Sequence, residues 1–320
     1  MSNTIDKTDG AARKLTPSVP PARRRRRGLH LSRRDRVVLT VMVLIPTLIQ
    51  LVFIWVPMVL SVLLSFVRWN GLTFDNIRPA GVSNYRYVLE QYPSFWPAVQ
   101  HNILWLVFLG LIATPLGLLL AVLLDQKLRG SRIYQSIFFA PVMLSLVLVG
   151  VIWQLFYSRD NGLLNYLLGT SGTPHAVDWF GDPSINIWAA LIAATWRHAG
   201  YVMILYLAGL KGVDPSLKEA AAIDGANAPQ TFFRVVLPVM KPINIVIVVI
   251  TLIESLRAFD IVYIINGGRN GLELISALII QNLVGEGQVI GVGSALATIL
   301  LVISLVPIII YLARTFKKED

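Results

Sequence analysis

The chain has 320 residues, 55% of them hydrophobic and 14% charged, which is too apolar for a soluble globule of this length. It has no cysteine, which excludes disulfides, thiolate metal sites and cysteine nucleophiles. The formal charge of +10 is concentrated at the N-terminus and in short connections between apolar runs, the distribution of a membrane topology and not of a nucleic-acid surface.

Residues 1–36 are polar, with Pro17, Pro20 and Pro21 ahead of the run Arg23 to Arg27. Such a stretch buries too little apolar surface to offset chain entropy, so a disordered, basic cytoplasmic tail is expected, held near anionic lipid by its arginines. Ser32-Arg33-Arg34 resembles a twin-arginine export signal, but the apolar stretch behind it is too long and lacks a small-residue cleavage site. Residues 37–67 carry no charge, more than the ~20 positions needed to cross a bilayer. Pro46 and Pro57 inside this first span require neighbouring helices or water to satisfy the freed carbonyls. Residues 68–101, with Trp69, Tyr85, Tyr87, Tyr92 and Trp96, suit an aromatic belt and an outer loop.

Further spans are predicted over 102–124, 133–157, 186–210, 243–265 and 289–313. A Gly-rich outer loop around Gly267, Gly268 and Gly271, reaching to Gly285 and Gly287, joins the last two. Residues 314–320 form a short tail. The connections on the side of both termini hold 21 Lys and Arg, against five on the other side, which places both ends and the 211–242 loop in the cytoplasm. Open sheet has no backbone partners in lipid and the runs are too long for barrel strands, so the expected fold is an all-α integral membrane bundle of six spans.

Between the fourth and fifth spans lies a more polar island, K-E-A-A-A-I-D-G-A-N-A-P-Q-T-F-F-R-V-V-L-P-V-M-K-P, from Lys218 to Pro242. Asp214 is placed to cap a helix that Pro215 opens, Gly225 supplies a turn, and Pro229 opens a second short helix that Pro238 and Pro242 interrupt. The reading is a short helix–turn–helix outside the lipid.

Charges inside spans are costly and mark candidate sites. Glu254, Arg257 and Asp260 recur every three residues, on one helical face where they can pair with each other. That face is either an internal ion network that fixes packing or the lining of a polar cavity, with Phe259 and Tyr263 beside it. Arg197 and His198 in the fourth span pose the same alternatives, with His198 read as a hydrogen-bonding group at an interface or cavity. No G-x-x-x-x-G-K-[ST], H-E-x-x-H or G-x-S-x-G occurs, so no catalytic residue or metal ligand is assigned.

The island resembles the signature loop of the carbohydrate-importer permeases among bacterial ABC importers, E-A-A-x-x-D-G-A-x-x-x-x-x-F-x-x-[VI]-x-L-P-x-x-x-P, through Glu219, Ala220, Ala221, Asp224, Gly225, Ala226, Phe232, Val235, Leu237, Pro238 and Pro242. Gly81-Val82-Ser83-Asn84-Tyr85, Gly162-Leu163-Leu164-Asn165 and Ala208-Gly209-Leu210 resemble further family elements. So does Phe259 to Tyr263 with Gly267-Gly268, although Arg269 stands where many relatives have proline. The likeness runs from about residue 37 to the C-terminus, and its later part is more similar to the first of two paired sugar permeases.

The resemblance implies a type I importer permease domain over 37–313, in a bacterial inner membrane, with 211–242 as the loop that couples to an ATPase. It implies a second homologous permease, two ATP-binding-cassette subunits that hold ATP and Mg, and an extracellular solute-binding protein, with no cofactor or nucleic acid on this chain. The implied cargo is a di- or oligosaccharide. A glycerol phosphodiester or polyol importer is an alternative, as is an ion-coupled carrier using the Glu254, Arg257 and Asp260 face. A sugar needs aromatic platforms with a few hydrogen-bonding groups. Trp153, Trp196, Tyr201, Tyr206, Phe259 and Tyr263 supply candidate platforms, and Arg197, Glu254, Arg257 and Asp260 candidate polar partners.

Overall fold

The computed structural model describes residues 32–126, 129–284 and 289–316. The predicted tail up to residue 31, Lys127, Gly285, Gly287 and the end from Lys317 lie outside the described residues. The chain divides into two compact units, one ending at Ile54 and one starting at Trp55.

Helix α1 spans Arg33–Leu64. It begins four residues before the charge-free run because Ser32 and Asp35 form a capping box, with Asp35 N donating to Ser32 Oγ at 3.1 Å and Ser32 N to Asp35 Oδ2 at 3.2 Å. None of its residues as far as Trp55 is buried by protein. So continuous an exposure of apolar side chains calls for an apolar surround, which a helix enters with its backbone bonds already internal.

Three of the helical prolines follow a local widening of the helix itself. Five-residue π turns occupy Leu51–Trp55, Leu109–Ala113 and Phe232–Val236, each ending two residues before a proline (Pro57, Pro115 and Pro238). The residue ahead of the proline donates five residues back, as Thr114 does to Leu109 O and Leu237 to Phe232 O. Widening the turn relieves the clash between the pyrrolidine ring and the carbonyl four residues earlier. Pro46 sits inside α1 without such a turn.

The segment after α1 is more ordered than an outer loop. Strands β1 (Val67–Arg68) and β2 (Arg78–Pro79) pair antiparallel, and α2 (Ser83–Arg86) comes next. Asn84 is buried and donates through Nδ2 to Ser65 O at 2.8 Å and Val67 O at 2.9 Å, while Tyr85 Oη lies 2.6 Å from Ser65 Oγ. The Asn-Tyr pair of the predicted short element therefore clasps the end of α1.

Helix α3 spans Phe95–Asp125, starting a full two turns before the predicted span. The third predicted span is not one rod. Helices α4 (Ser131–Met143) and α5 (Leu146–Phe156) meet at 102°, with Ser145 starting α5 by accepting a bond from Leu148 N at 3.2 Å. After α6 (Leu163–Leu167) comes α7 (Asn186–Lys211), the axis of the second unit, with 16 of its 26 residues buried. Its neighbours approach at small residues, as membrane helices do. A Cβ on Gly117 of α3 would lie 2.8 Å from Ala199 O, and one on Gly200 would lie 2.2 Å from Phe138 O of α4.

Helices α8 (Pro215–Ile223) and α9 (Ala228–Val239) form the island, and the chain turns by 74° as it leaves α9 for the fifth predicted span. Pro238 does not interrupt α9, which ends one residue later. The fifth predicted span is broken as well: α10 covers Lys241–Leu256 and α11 Asp260–Asn266, with Arg257 to Phe259 non-helical between them. Part of the predicted outer loop is a helix, α12 (Ile275–Val284), whose Ile275, Ala277 and Leu278 are fully or almost fully buried. Helix α13 spans Ile290–Phe316.

Among the described residues, α1, α3 and Ile290–Pro307 of α13 are long and apolar enough to cross a bilayer unbent. At about 1.5 Å per residue α7 is also long enough. Its burial inside protein frees it from uniform apolarity, and it carries Arg197 and His198.

Candidate functional site

Two constellations stand out. The first is the α8–turn–α9 lever. Asp214 caps α8 by accepting from Ser216 N at 2.9 Å, and this backbone hydrogen bond holds its carboxyl below the usual carboxylate range. At the other end, Gly225 N bonds Ala222 O at 3.1 Å and Ala226 N bonds Ala221 O at 2.9 Å. With Gly225 at φ +79° this is a Schellman stop. The E-A-A-A-I-D-G-A string is thus a helix end written out in residues: Ala221 is small and buried, and glycine sits where the backbone turns left-handed. Asn227 then starts α9 with a capping box to Gln230.

The lever is plugged into the bundle. Val213, Val236 and Met240 are buried in one core with Ala121 and Leu124 of α3, Val202, Met203, Tyr206, Leu207 and Leu210 of α7, and Ile247 of α10, and Phe232 packs against it. Gly209 admits Met240, since a Cβ there would lie 2.9 Å from Met240 Cε. Lys218 reaches Asp125 at the end of α3, at 3.8 Å. The outward face carries Glu219, Ala220, Asp224 and Gly225, with exposed Ile223 and Phe233. Among the described residues neither Glu219 nor Asp224 forms an ion pair. Val235 and Leu237 are half-buried, and Pro238 is exposed.

The second constellation is a polar cluster around α7. Arg197 Nη1 lies 3.7 Å from Glu254 Oε2, His198 Nε2 is 3.1 Å from Thr251 Oγ1, and Thr114 Oγ1 is 3.4 Å from the same hydroxyl. Ser255 Oγ donates to Thr251 O at 2.7 Å, and Asn102 joins α3 to Ser255 O at 3.3 Å and to Ile275 N at 3.0 Å. Glu254, Arg257 and Asp260 do not form the predicted ladder, because α10 stops at Leu256 and Asp260 opens a new helix. Glu254 instead pairs with Arg197 of α7, which supports the packing-network alternative for that residue.

Arg197, His198, Glu254, Arg257, Phe259 and Asp260 line one cavity of about 40 Å³. Water fits there and a sugar does not. Trp153, Trp196, Tyr201 and Tyr263 are not part of that lining. Trp153 and Trp196 pack edge to face at 6.0 Å, Phe259 stacks on Tyr263 at 4.7 Å, and Tyr206 is core. The indole Nε1 of Trp153 and Nε of Arg197 are buried without a hydrogen-bond partner.

The profile of a protein family described as "binding-protein-dependent transport system inner membrane component" matches residues 113–318. The chain belongs to this family. The permease is 32% identical over 258 residues to the xylose/arabinose import permease protein XacH of Haloferax volcanii, covering 80% of each chain. It is 32% identical over 274 residues to the trehalose/maltose transport system permease protein MalF of Thermococcus litoralis, covering 85% of this chain and 91% of that one. Its fold matches a chain of a bacterial alginate ABC transporter, crystallised with an alginate pentasaccharide-bound periplasmic protein, at a TM-score of 0.74 and 22% identity over 87% and 93% of the two chains. Membership makes the permease a membrane subunit of a transport system and not an enzyme.

Sequence reasoning about the permease missed Asn102, Thr114, Thr251 and Ser255. Their signal is present, as polar residues in otherwise apolar runs, with Thr251 and Ser255 one turn apart. Only packing shows that they converge.

Proposed function

We propose that this permease forms half of the translocation pathway of an ATP-driven importer for a di- or oligosaccharide. A second homologous permease completes the pathway, and a solute-binding protein delivers the sugar from outside. Both termini and the α8–α9 lever face the cytoplasm, where two ATP-binding-cassette subunits hold ATP and Mg and drive the lever. The observation that carries this reading is the lever's construction. Unpaired carboxylates at Glu219 and Asp224 face outward, while Val236 and Met240 lock its inner side into α3, α7 and α10. A displacement applied outside is therefore delivered to the helices of the polar cluster.

The sugar cargo is supported by the family's xylose/arabinose and trehalose/maltose relatives. The pathway residues Trp153, Trp196, Arg197, Tyr201, Glu254, Arg257, Phe259, Asp260 and Tyr263 are proposed to meet it only in the assembled, open transporter, given the size of the cavity in this chain. The test is reconstitution with both ATPase and permease partners. Glu219→Lys keeps membrane insertion and removes substrate-stimulated ATP hydrolysis, since losing one partner of a buried charge pair costs about 2–5 kcal/mol. Normal stimulation in that variant, or sugar uptake by this chain alone under an ion gradient, overturns the proposal.

A further inference from the structure

Helix α6 and its surroundings serve neither the lever nor the polar cluster. The chain leaves α5 at Phe156 and reverses tightly at Gly162, where a Cβ would sit 2.2 Å from Ser158 O. Asn165 is completely buried and organises the loop. Its Nδ2 donates to Arg159 O at 2.9 Å and Val177 O at 2.8 Å, and its Oδ1 accepts from Trp179 Nε1 at 3.2 Å. Tyr157 packs between Trp179 and Phe180, with ring centroids at 5.6 and 4.8 Å. Asn165 is the inner side of α6. The outer side is Leu163, Tyr166, Leu167 and Leu168, all between 46% and 73% exposed.

Three features suit that surface to the edge of lipid. It is helical, with Tyr166 N bonded to Gly162 O and Leu168 N to Leu164 O, each at 3.0 Å, which reduces the number of backbone groups that need water. No acidic or basic side chain occurs from Asn161 to Pro174, while Arg159 and Asp160 mark its edge. The helix that precedes it, α5 of the membrane bundle, carries an exposed apolar stripe of its own in Leu148, Val151 and Leu155.

We propose that α6 is a membrane-interface anchor, lying in the plane of the bilayer with Leu163, Tyr166, Leu167 and Leu168 inserted at the headgroup–acyl boundary. Elements of this kind sink roughly 5–10 Å into that boundary. Tyrosine suits this depth, with its ring in the apolar layer and its hydroxyl in the wet one. The anchor fixes the level at which α5 leaves the membrane and sets Asn165 as the clamp between lipid and the outer loop.

The absence of native cysteine makes the test direct. Leu167→Cys and, as an aqueous reference in the same loop, His175→Cys are labelled with an environment-sensitive fluorophore in the full chain, reconstituted in phosphatidylcholine–phosphatidylglycerol vesicles. Both positions are exposed, so neither substitution removes a core contact. Insertion predicts that brominated acyl chains quench the probe at 167 at least about twofold and iodide does not, with the reverse at 175. Iodide quenching at 167, or shielding from both quenchers as beneath a protein partner, overturns the proposal.

Discussion

Gly225→Ala isolates the lever from everything around it. Gly225 has φ +79°, and a Cβ built there meets no atom within 4 Å. The substitution therefore adds no clash inside the chain, and its whole cost is the left-handed conformation, about 1–2 kcal/mol for an L-residue. Such a loss lowers the population of the native turn about 5–30-fold relative to its alternatives. The hydrogen bonds Gly225 N–Ala222 O and Ala226 N–Ala221 O go with it, loosening α8 from α9. Asparagine tolerates the same backbone region, so Gly225→Asn restores most of the turn while adding a larger side chain. Spin labels at Ser216→Cys and Gln230→Cys, clean in a cysteine-free chain, report the α8–α9 distance, and substrate-stimulated ATP hydrolysis of the assembled transporter reports coupling. The expected result is a broadened distance distribution and weakened stimulation for Gly225→Ala, with both recovered by Gly225→Asn. A narrow, native distribution for Gly225→Ala refutes the backbone argument. Equal failure of both variants with a native distance assigns glycine instead to close contact with a partner.

Three other outcomes are expected from the packing. Glu254→Gln strands Arg197 in the bundle, so it destabilises more than the double change Arg197→Gln/Glu254→Gln, with a coupling of about 0.5–3 kcal/mol in a thermal-melt double-mutant cycle; additive effects contradict the pair. Gly117→Ala places a methyl 2.8 Å from Ala199 O and Val202 Cβ and costs about 1–3 kcal/mol, read as a lower Tm in detergent, because backbone on the facing helix cannot step aside. Asn84→Ala leaves Ser65 O and Val67 O without their donor and costs about 1–3 kcal/mol, seen as faster proteolysis after α1; unchanged cleavage rejects the clasp.

Much of this architecture is local enough to read from the chain. The long charge-free runs predict α1, α3 and α13, because burial in lipid demands apolar side chains wherever protein does not intervene. Much of the lever is legible locally: Asp214, Pro215, Gly225 and Pro229 act on backbone groups within four positions of themselves, whereas the Asn227 cap went unread and Pro238 does not interrupt α9. Periodicity fails where long-range contacts decide. Arg257 to Phe259 contain neither glycine nor proline, yet the helix stops there, and the predicted Glu254–Arg257–Asp260 ladder dissolves with it. Helix α12 is hidden by its glycine-rich approach and its shortness.

Sequence by itself determined which segments must avoid water, where the helices of the lever are capped and opened, and that one island carries a family signature. These are properties of neighbours along the chain, set by hydropathy, capping and the φ preferences of glycine and proline. Tertiary structure alone decided that Asn102, Thr114, His198, Thr251 and Glu254 share one cluster, that α4 and α5 meet at 102°, and that the lever is locked to α3 and α7. The physical reason is that a buried polar group must find its partner wherever the fold puts one, and for Asn102 that partner lies 173 residues away.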